Sequence, residues 1–206
     1  MPLFTLFLFA YLIGSFPTAL IIGKVFYGID IRKYGSFNPG ATNSLRVLGK
    51  TAGIVVLLFD VGKGALATAL PFFFETDIDP LYSGLVAVIG HCFPIFAGFR
   101  GGKAIATTAG ALLIASPLML LVSYITFFLV IFITKYVFLG SISVGITLLL
   151  YSLIEPGLKN ELLFFLYVIL LIYLHRSNII NFWNHQEPMF HDKKLKKDRI
   201  NPKKKP

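Results

Sequence analysis

The sequence contains one cysteine, Cys92, and one tryptophan. A lone thiol excludes an internal disulfide and any cysteine-rich metal site. Charged residues make up only 14% of the 206 positions, and the 10 acidic ones fall mostly in predicted outer loops or near the C-terminus. They form no carboxylate cluster of the kind that holds Mg²⁺. A G-x-S-x-G nucleophile elbow is absent. The Gly-Lys pairs at Lys50, Lys63 and Lys103 complete no P-loop, because Ser44, Leu57 and Ala97 stand where each needs a first glycine. These absences leave little room for metal chemistry or a covalent serine intermediate.

What the sequence has in excess is hydrocarbon. It is 56% hydrophobic, with 21 Phe and a mean hydropathy of +0.76, against roughly 45–50% apolar residues in soluble domains. At about 20 residues per crossing, its length accommodates five to seven membrane helices and no separate soluble domain. The expected fold is an all-α polytopic membrane protein of about seven transmembrane helices, with the N-terminus outside and the C-terminus cytoplasmic. Residues 1–191 would form one integral-membrane domain and 192–206 a basic cytoplasmic tail. A formal charge of +9 could suit nucleic acid. The cations are divided among short loops and the tail, however, which fits anionic lipid headgroups and argues for no nucleic-acid partner.

The first span, residues 3–23, has no basic residue before Lys24, unlike a signal peptide. Pro17 predicts a kink, with Ser15 or Thr18 able to satisfy a freed carbonyl. The second span, 51–74, contains Asp60 and Lys63, three apart on one helix face and able to pair. A tether between helices is the first reading of that pair, and a role beside a functional site the second. Glu75–Pro80 is acidic, as an outer loop should be. After the span 81–96 and a cationic turn, AIATTAGALLIAS is short and rich in small residues. It is expected inside the bundle against the span Pro117–Thr134. Further spans end at Ile154 and Leu174, separated by an outer loop at Glu155–Glu161. Of the 19 Lys and Arg residues, all but Lys63 and Lys159 then fall on the inner side, which supports the orientation. Phe182, Trp183 and Phe190 suit an interfacial segment, and the tail from Asp192 is expected to be disordered near anionic lipid.

Polar chemistry is concentrated in three segments. Gly90–Thr107, GHCFPIFAGFRGGKAIAT, sets a glycine-rich cationic turn between apolar spans. Gly101 and Gly102 would let backbone N–H groups crowd an oxyanion, Lys103 adds a point charge, and a helix begins just beyond. Arg100 and Lys103 could instead be simple positive-inside anchors, although an anchor does not need the glycines. Gly35–Arg46, GSFNPGATNSLR, combines Asn-Pro-Gly turn chemistry at Asn38–Gly40 with Ser36, Thr42, Asn43 and the fork-shaped cation of Arg46. An ordinary topology-setting loop is the alternative. In the third segment, His175 and Asn178 are three apart and could share a helix face.

Taken together, these segments resemble the bacterial acyl-phosphate:glycerol-3-phosphate acyltransferases, the PlsY family. The first is similar to its GSxNPGATNxLR pattern, the second to GHxFPxFxxFxGGKxxAT, and the third to HxxNI with a later Glu, here Glu187. Phe37, Ala104 and His185 replace frequent glycines of that family, and Asn181 replaces its usual Arg. The His-x4-Asp pair of the common soluble-domain glycerolipid acyltransferases is missing. The resemblance implies a multi-pass bacterial inner-membrane enzyme with its active site on the cytoplasmic face. Such an enzyme moves a fatty acyl group from acyl phosphate to the 1-hydroxyl of glycerol 3-phosphate, giving lysophosphatidate and phosphate, the first step of phospholipid synthesis. No cofactor or metal is expected.

Acyl phosphate is already activated, so the main task is to hold two anions together. Arg46 and Lys103 are expected to neutralise phosphates, while Ser36, Asn38, Asn43, Ser141 and the N–H groups around Gly40, Gly101 and Gly102 orient them. The resemblance places His175 and Asn178 beside glycerol 3-phosphate. The attacking hydroxyl would lose its proton to a substrate phosphate or to His175. Expected partners are the two substrates, the bilayer and, transiently, the enzyme that produces acyl phosphate. The alternatives are a membrane transporter for a small phosphate-bearing anion or a scaffold using the basic tail.

Overall fold

The computed structural model describes residues 3–155, 160–192 and 197–202. Part of the expected outer loop (156–159) and parts of the basic tail (193–196, 203–206) lie outside the described residues. All regular structure among the described residues is helical. The helices are α1 (Leu3–Gly14), α2 (Thr18–Ile22), α3 (Ala41–Val47), α4 (Lys50–Phe73), α5 (Pro80–Cys92), α6 (Ile105–Ala115), α7 (Pro117–Thr134), α8 (Val137–Ile154), α9 (Glu161–Leu174) and α10 (Arg176–Trp183).

Five segments are long and apolar enough to cross a membrane: Leu3–Tyr27, Lys50–Phe73, Pro80–Ala97, Pro117–Thr134 and Val137–Ile154. The α9–α10 pair, bent by 55°, makes a sixth if it counts as one span. Helix α6 is the remaining apolar segment. Its 11 residues rise only about 16 Å at about 1.5 Å each, short of a hydrocarbon core of about 30 Å. The expected count of about seven therefore becomes five long helices, one bent pair and one short helix.

The chain forms two compact units, one of Met1–Ala115 with Lys193–Pro206 and the other of Ser116–Asp192. In the first, α1, α4, α5 and α6 pack on one another. Large apolar side chains face outward, Leu58 and Phe59 among them, as in a protein whose solvent is lipid. Association then depends on close backbone approach between small residues. A Cβ at Gly64 would lie 2.1 Å from the Thr107 carbonyl oxygen, and one at Gly110 would lie 1.9 Å from that of Val61. The small residues of α6 thus fit α4, where the sequence reading expected them to meet the span beginning at Pro117.

Pro17 breaks the first span as expected, between α1 and α2. Neither predicted hydroxyl closes the break, since Ser15 Oγ and Thr18 Oγ1 are buried without a partner. Instead the Phe16 carbonyl accepts from Lys63 Nζ at 3.1 Å. In the second unit α8 packs on α7 and on α9, with Gly140 against Phe127 and Ile131 and Gly145 against Leu171 and Val168. Ser116 caps α7 by accepting from the Met119 N–H, and Pro117 opens the helix.

Because the atoms facing Gly110 are backbone and cannot rotate away, Gly110→Ala should destabilise the protein by about 1–3 kcal/mol. The thermal unfolding midpoint in detergent should fall, and an unchanged midpoint would contradict the α4–α6 contact.

Candidate active site

The first polar segment is folded by its own side chains. Asp30 caps a 3₁₀ turn at Ile31–Lys33 by accepting from the Arg32 N–H. Asn43, on α3, is buried. Its Oδ1 accepts from the Ser36 N–H at 2.9 Å, and its Nδ2 donates to the carbonyls of Tyr34 at 3.1 Å and Ile31 at 3.5 Å. Asn43 thus holds the loop in shape. Gly35, at φ +61°, lies against that side chain, where a Cβ would sit 2.3 Å from Asn43 Oδ1. Gly40 is buried at the start of α3 with an ordinary negative φ, and its carbonyl accepts from the Ser44 N–H. Ser36 is exposed and Asn38 half-buried, so both can meet a ligand.

Arg46 does not stand alone at the end of α3. Its Nε and Nη2 both meet Asp198 Oδ2. The Ile200 N–H donates to the Val47 carbonyl at 2.8 Å, and the Ile200 side chain packs against the cluster containing Ile31, Val47 and Leu48. Residues 197–202 were expected to be disordered. They lie along α3 because their sequence offers a carboxylate and an isoleucine amid the lysines.

The second segment folds back on the end of α5. After a 3₁₀ turn at Ile95–Ala97, the Gly101 N–H donates to the Cys92 carbonyl and the Gly102 N–H to that of His91, each at 3.1 Å. The two amides expected to orient a substrate oxyanion therefore close the loop internally. Glycine is needed there for space: a Cβ on Gly101 would lie 1.9 Å from the His91 carbonyl oxygen, and one on Gly102 would lie 2.2 Å from His91 Nε2. Lys103 is half-buried, Ala104 is buried, and α6 begins at Ile105.

Arg32 ties the first two segments together. Its Nη1 donates to the Ala97 carbonyl at 2.7 Å and reaches that of Arg100 at 3.5 Å. Asp30 holds the same guanidinium through Nη2 at 2.7 Å and Nε at 3.0 Å. The hydrogen bond from Arg32 keeps the Asp30 carboxyl below the usual aspartate range, against the opposing effect of burial. The same bond raises the Arg32 pKa. Asp30 and Arg32 were missed by the sequence reading, although a charge pair two residues apart beside a 3₁₀ turn was the available signal. Pro39 and the Arg100–Gly102 turn line one small hollow with Lys63 and His91. Its lining includes neither Arg46 nor Lys103.

The third segment belongs to the second unit. His175 sits at the break between α9 and α10, so it and Asn178 do not share one straight helix face as expected. His175 is buried, with Nδ1 2.9 Å from the Leu171 carbonyl oxygen. That oxygen can only accept, so Nδ1 carries a proton in this contact. Asn178 Nδ2 donates to Glu187 Oε1 at 2.6 Å, which fixes the amide. Ser141 is buried on α8, and its hydroxyl donates to the Val137 carbonyl at 3.0 Å. Among the described residues no group of three His, Cys, Asp or Glu is placed to hold a metal.

This is a helical membrane protein with a cationic, glycine-shaped loop and a separate buried histidine. Residues 4–185 match the family described as glycerol-3-phosphate acyltransferase. The chain is 47% identical over 185 residues to glycerol-3-phosphate acyltransferase 2 of Bacillus cereus (strain ATCC 10987 / NRS 248), covering 90% of this chain and 93% of that one. It is 49% identical over 183 residues to the Bacillus subtilis (strain 168) glycerol-3-phosphate acyltransferase, covering 89% and 95%. Two crystal structures of PlsY (YgiH), an integral membrane glycerol 3-phosphate acyltransferase, are similar. The glycerol 3-phosphate form aligns with a TM-score of 0.82 at 35% identity and the lysophosphatidic acid form with 0.79 at 34%, each covering 90% of this chain and 94% of the other. The chain belongs to the glycerol-3-phosphate acyltransferase family. The transporter alternative has no counterpart among these relatives.

The three glycine replacements share a geometry. Phe37, Ala104 and His185 have φ of 59°, 57° and 56°, the left-handed region that side chains with a Cβ resist. Where the resemblance expects glycine, the backbone keeps the glycine conformation. Each of Phe37→Gly, Ala104→Gly and His185→Gly should therefore raise the unfolding free energy by about 1 kcal/mol. Lower unfolding midpoints in all three variants would contradict the left-handed conformation.

Proposed function

We propose that the chain transfers a fatty acyl group from acyl phosphate to the 1-hydroxyl of glycerol 3-phosphate. The glycerol oxygen bonds to the acyl carbon, the acyl–phosphate C–O bond breaks, and lysophosphatidate and phosphate leave. The observation that carries this reading is the family match over residues 4–185, a stretch that contains all three polar segments. The PlsY relatives were crystallised in glycerol 3-phosphate and lysophosphatidic acid forms. Those two ligands correspond to the substrate and product of this reaction.

Two anionic substrates repel each other, so catalysis is chiefly charge neutralisation and alignment. Lys103, beside the α6 N-terminus, meets one phosphate. Arg46 meets the other by exchanging or sharing Asp198. Ser36, Asn38 and Ser141 supply further polar contacts, while Gly40, Asn43, Gly101 and Gly102 shape the loops that present them. His175 and Asn178 lie beside the glycerol hydroxyl. Its proton goes to a substrate phosphate or to His175, whose ring is anchored at Leu171 through Nδ1. No metal or cofactor takes part.

The active site faces the cytoplasm at the bacterial inner membrane, where the acyl-phosphate-producing enzyme can deliver the donor. The N-terminus lies outside and the C-terminus inside. That orientation needs an odd number of crossings, as the five long helices alone give. It is supported by the basic residues of the inner loops and tail. Residues 1–191 work as one catalytic domain and 192–206 as its cytoplasmic tail.

Purified protein in proteoliposomes should make lysophosphatidate from glycerol 3-phosphate and acyl phosphate, and not from acyl-CoA or acyl-carrier protein. Arg46→Ala and Lys103→Ala should each lower the rate by about 10²-fold or more with the protein still inserted. Near-normal rates in both variants would remove the phosphate-clamp reading. Uptake of glycerol 3-phosphate without acyl product would favour a transporter.

A further inference from the structure

Asp60, Lys63 and His91 form a buried polar chain to which neither the family resemblance nor the mechanism above gives a role. Asp60 is 2% exposed, Lys63 8% and His91 6%. Ionisable groups at membrane depth are costly and usually mark function. A buried ion pair is also weak evidence of a purely stabilising role, because an apolar pair of similar volume often does as well. The two residues therefore call for more than a tether between helices.

The geometry shows what they touch. Lys63 Nζ lies 2.8 Å from Asp60 Oδ1 and donates to the Phe16 carbonyl at the α1–α2 break. Asp60 Oδ1 faces His91 Nδ1 at 3.6 Å, and no direct hydrogen bond satisfies that nitrogen. The opposite edge of the same ring, at Nε2, is where a Cβ on Gly102 would come within 2.2 Å. The His91 and Cys92 carbonyls hold the amides of Gly102 and Gly101. One ring thus lies between the buried carboxylate and the glycine turn that precedes Lys103.

We propose that Asp60, acting through Lys63 and His91, is a positioning residue for the Gly101–Lys103 loop: the buried ion pair fixes the imidazole against Gly102 and so sets where Lys103 presents its charge to a phosphate. The ligand clause rests on the proposed reaction, whereas the positioning clause does not. Asp60 touches no substrate and transfers no proton; it acts through the ring.

The test uses the full chain with Asp60→Asn and Lys63→Met together, which removes both charges and leaves neither buried alone. Amide hydrogen exchange should quicken about tenfold or more across residues 98–104, while α4 and α5 amides stay protected. In proteoliposomes the KM for the substrate phosphate held by Lys103 should rise about tenfold, with kcat within about threefold of wild type. If the double variant does not fold, His91→Gln keeps the ion pair and removes the ring, with the same exchange and kinetic changes expected. Exchange and KM both at wild-type values in a folded variant would overturn the proposal and leave a tether. Loss of kcat with KM unchanged would also overturn it, because that marks a group acting in the chemical step. A wild-type protein without turnover would sink the functional reading instead, and the exchange measurement would still decide the positioning.

Discussion

Hydrocarbon offers no water to a broken helix, so every backbone group freed in such surroundings needs a partner from elsewhere in the protein. The first unit is built around that constraint. The Phe16 carbonyl, freed at the Pro17 break, is taken by Lys63. The Phe93 carbonyl, past the end of α5, accepts from the Tyr11 hydroxyl at 2.8 Å. Ala97 is held by Arg32, and the amides of Gly101 and Gly102 return to the last carbonyls of α5. The side-chain partners Lys63, Tyr11 and Arg32 come from distant parts of the sequence, so the irregular backbone is also what joins the helices.

This constraint reassigns the polar residues. A glycine-rich turn beside cations reads in isolation as a nest of N–H donors around an anion, but here its amides already have carbonyl partners. What glycine supplies is close approach, to the His91 carbonyl and ring. The left-handed backbone at Phe37, Ala104 and His185 extends the same point, because a loop shape can outlast the residue best suited to it.

The sequence made legible what rests on local chemistry: the apolar spans, the Pro17 break, the shortness of α6, and the three motifs with their family. Contacts between distant positions were not legible. The buried contacts of Asn43, to the Ser36 amide and two carbonyls, come together only when the loop folds. The tail reads as disordered because its lysines outnumber Asp198 and Ile200, yet those two residues, with Arg199 on the Leu45 carbonyl, make contacts with α3. The Asp60–Lys63 pair was visible from its spacing, and its reach to Phe16 and His91 was not.

The central claim is that the turn before α6 is closed by its own backbone and offers a phosphate the Lys103 ammonium. A structure of the protein with glycerol 3-phosphate and a non-hydrolysable acyl-phosphate analogue tests this most directly. The account predicts a phosphate oxygen about 3 Å from Lys103 Nζ, with the Gly101 and Gly102 amides still bonded to Cys92 and His91. Phosphate oxygens on those two amides, with both backbone bonds broken and Lys103 turned away, would contradict it.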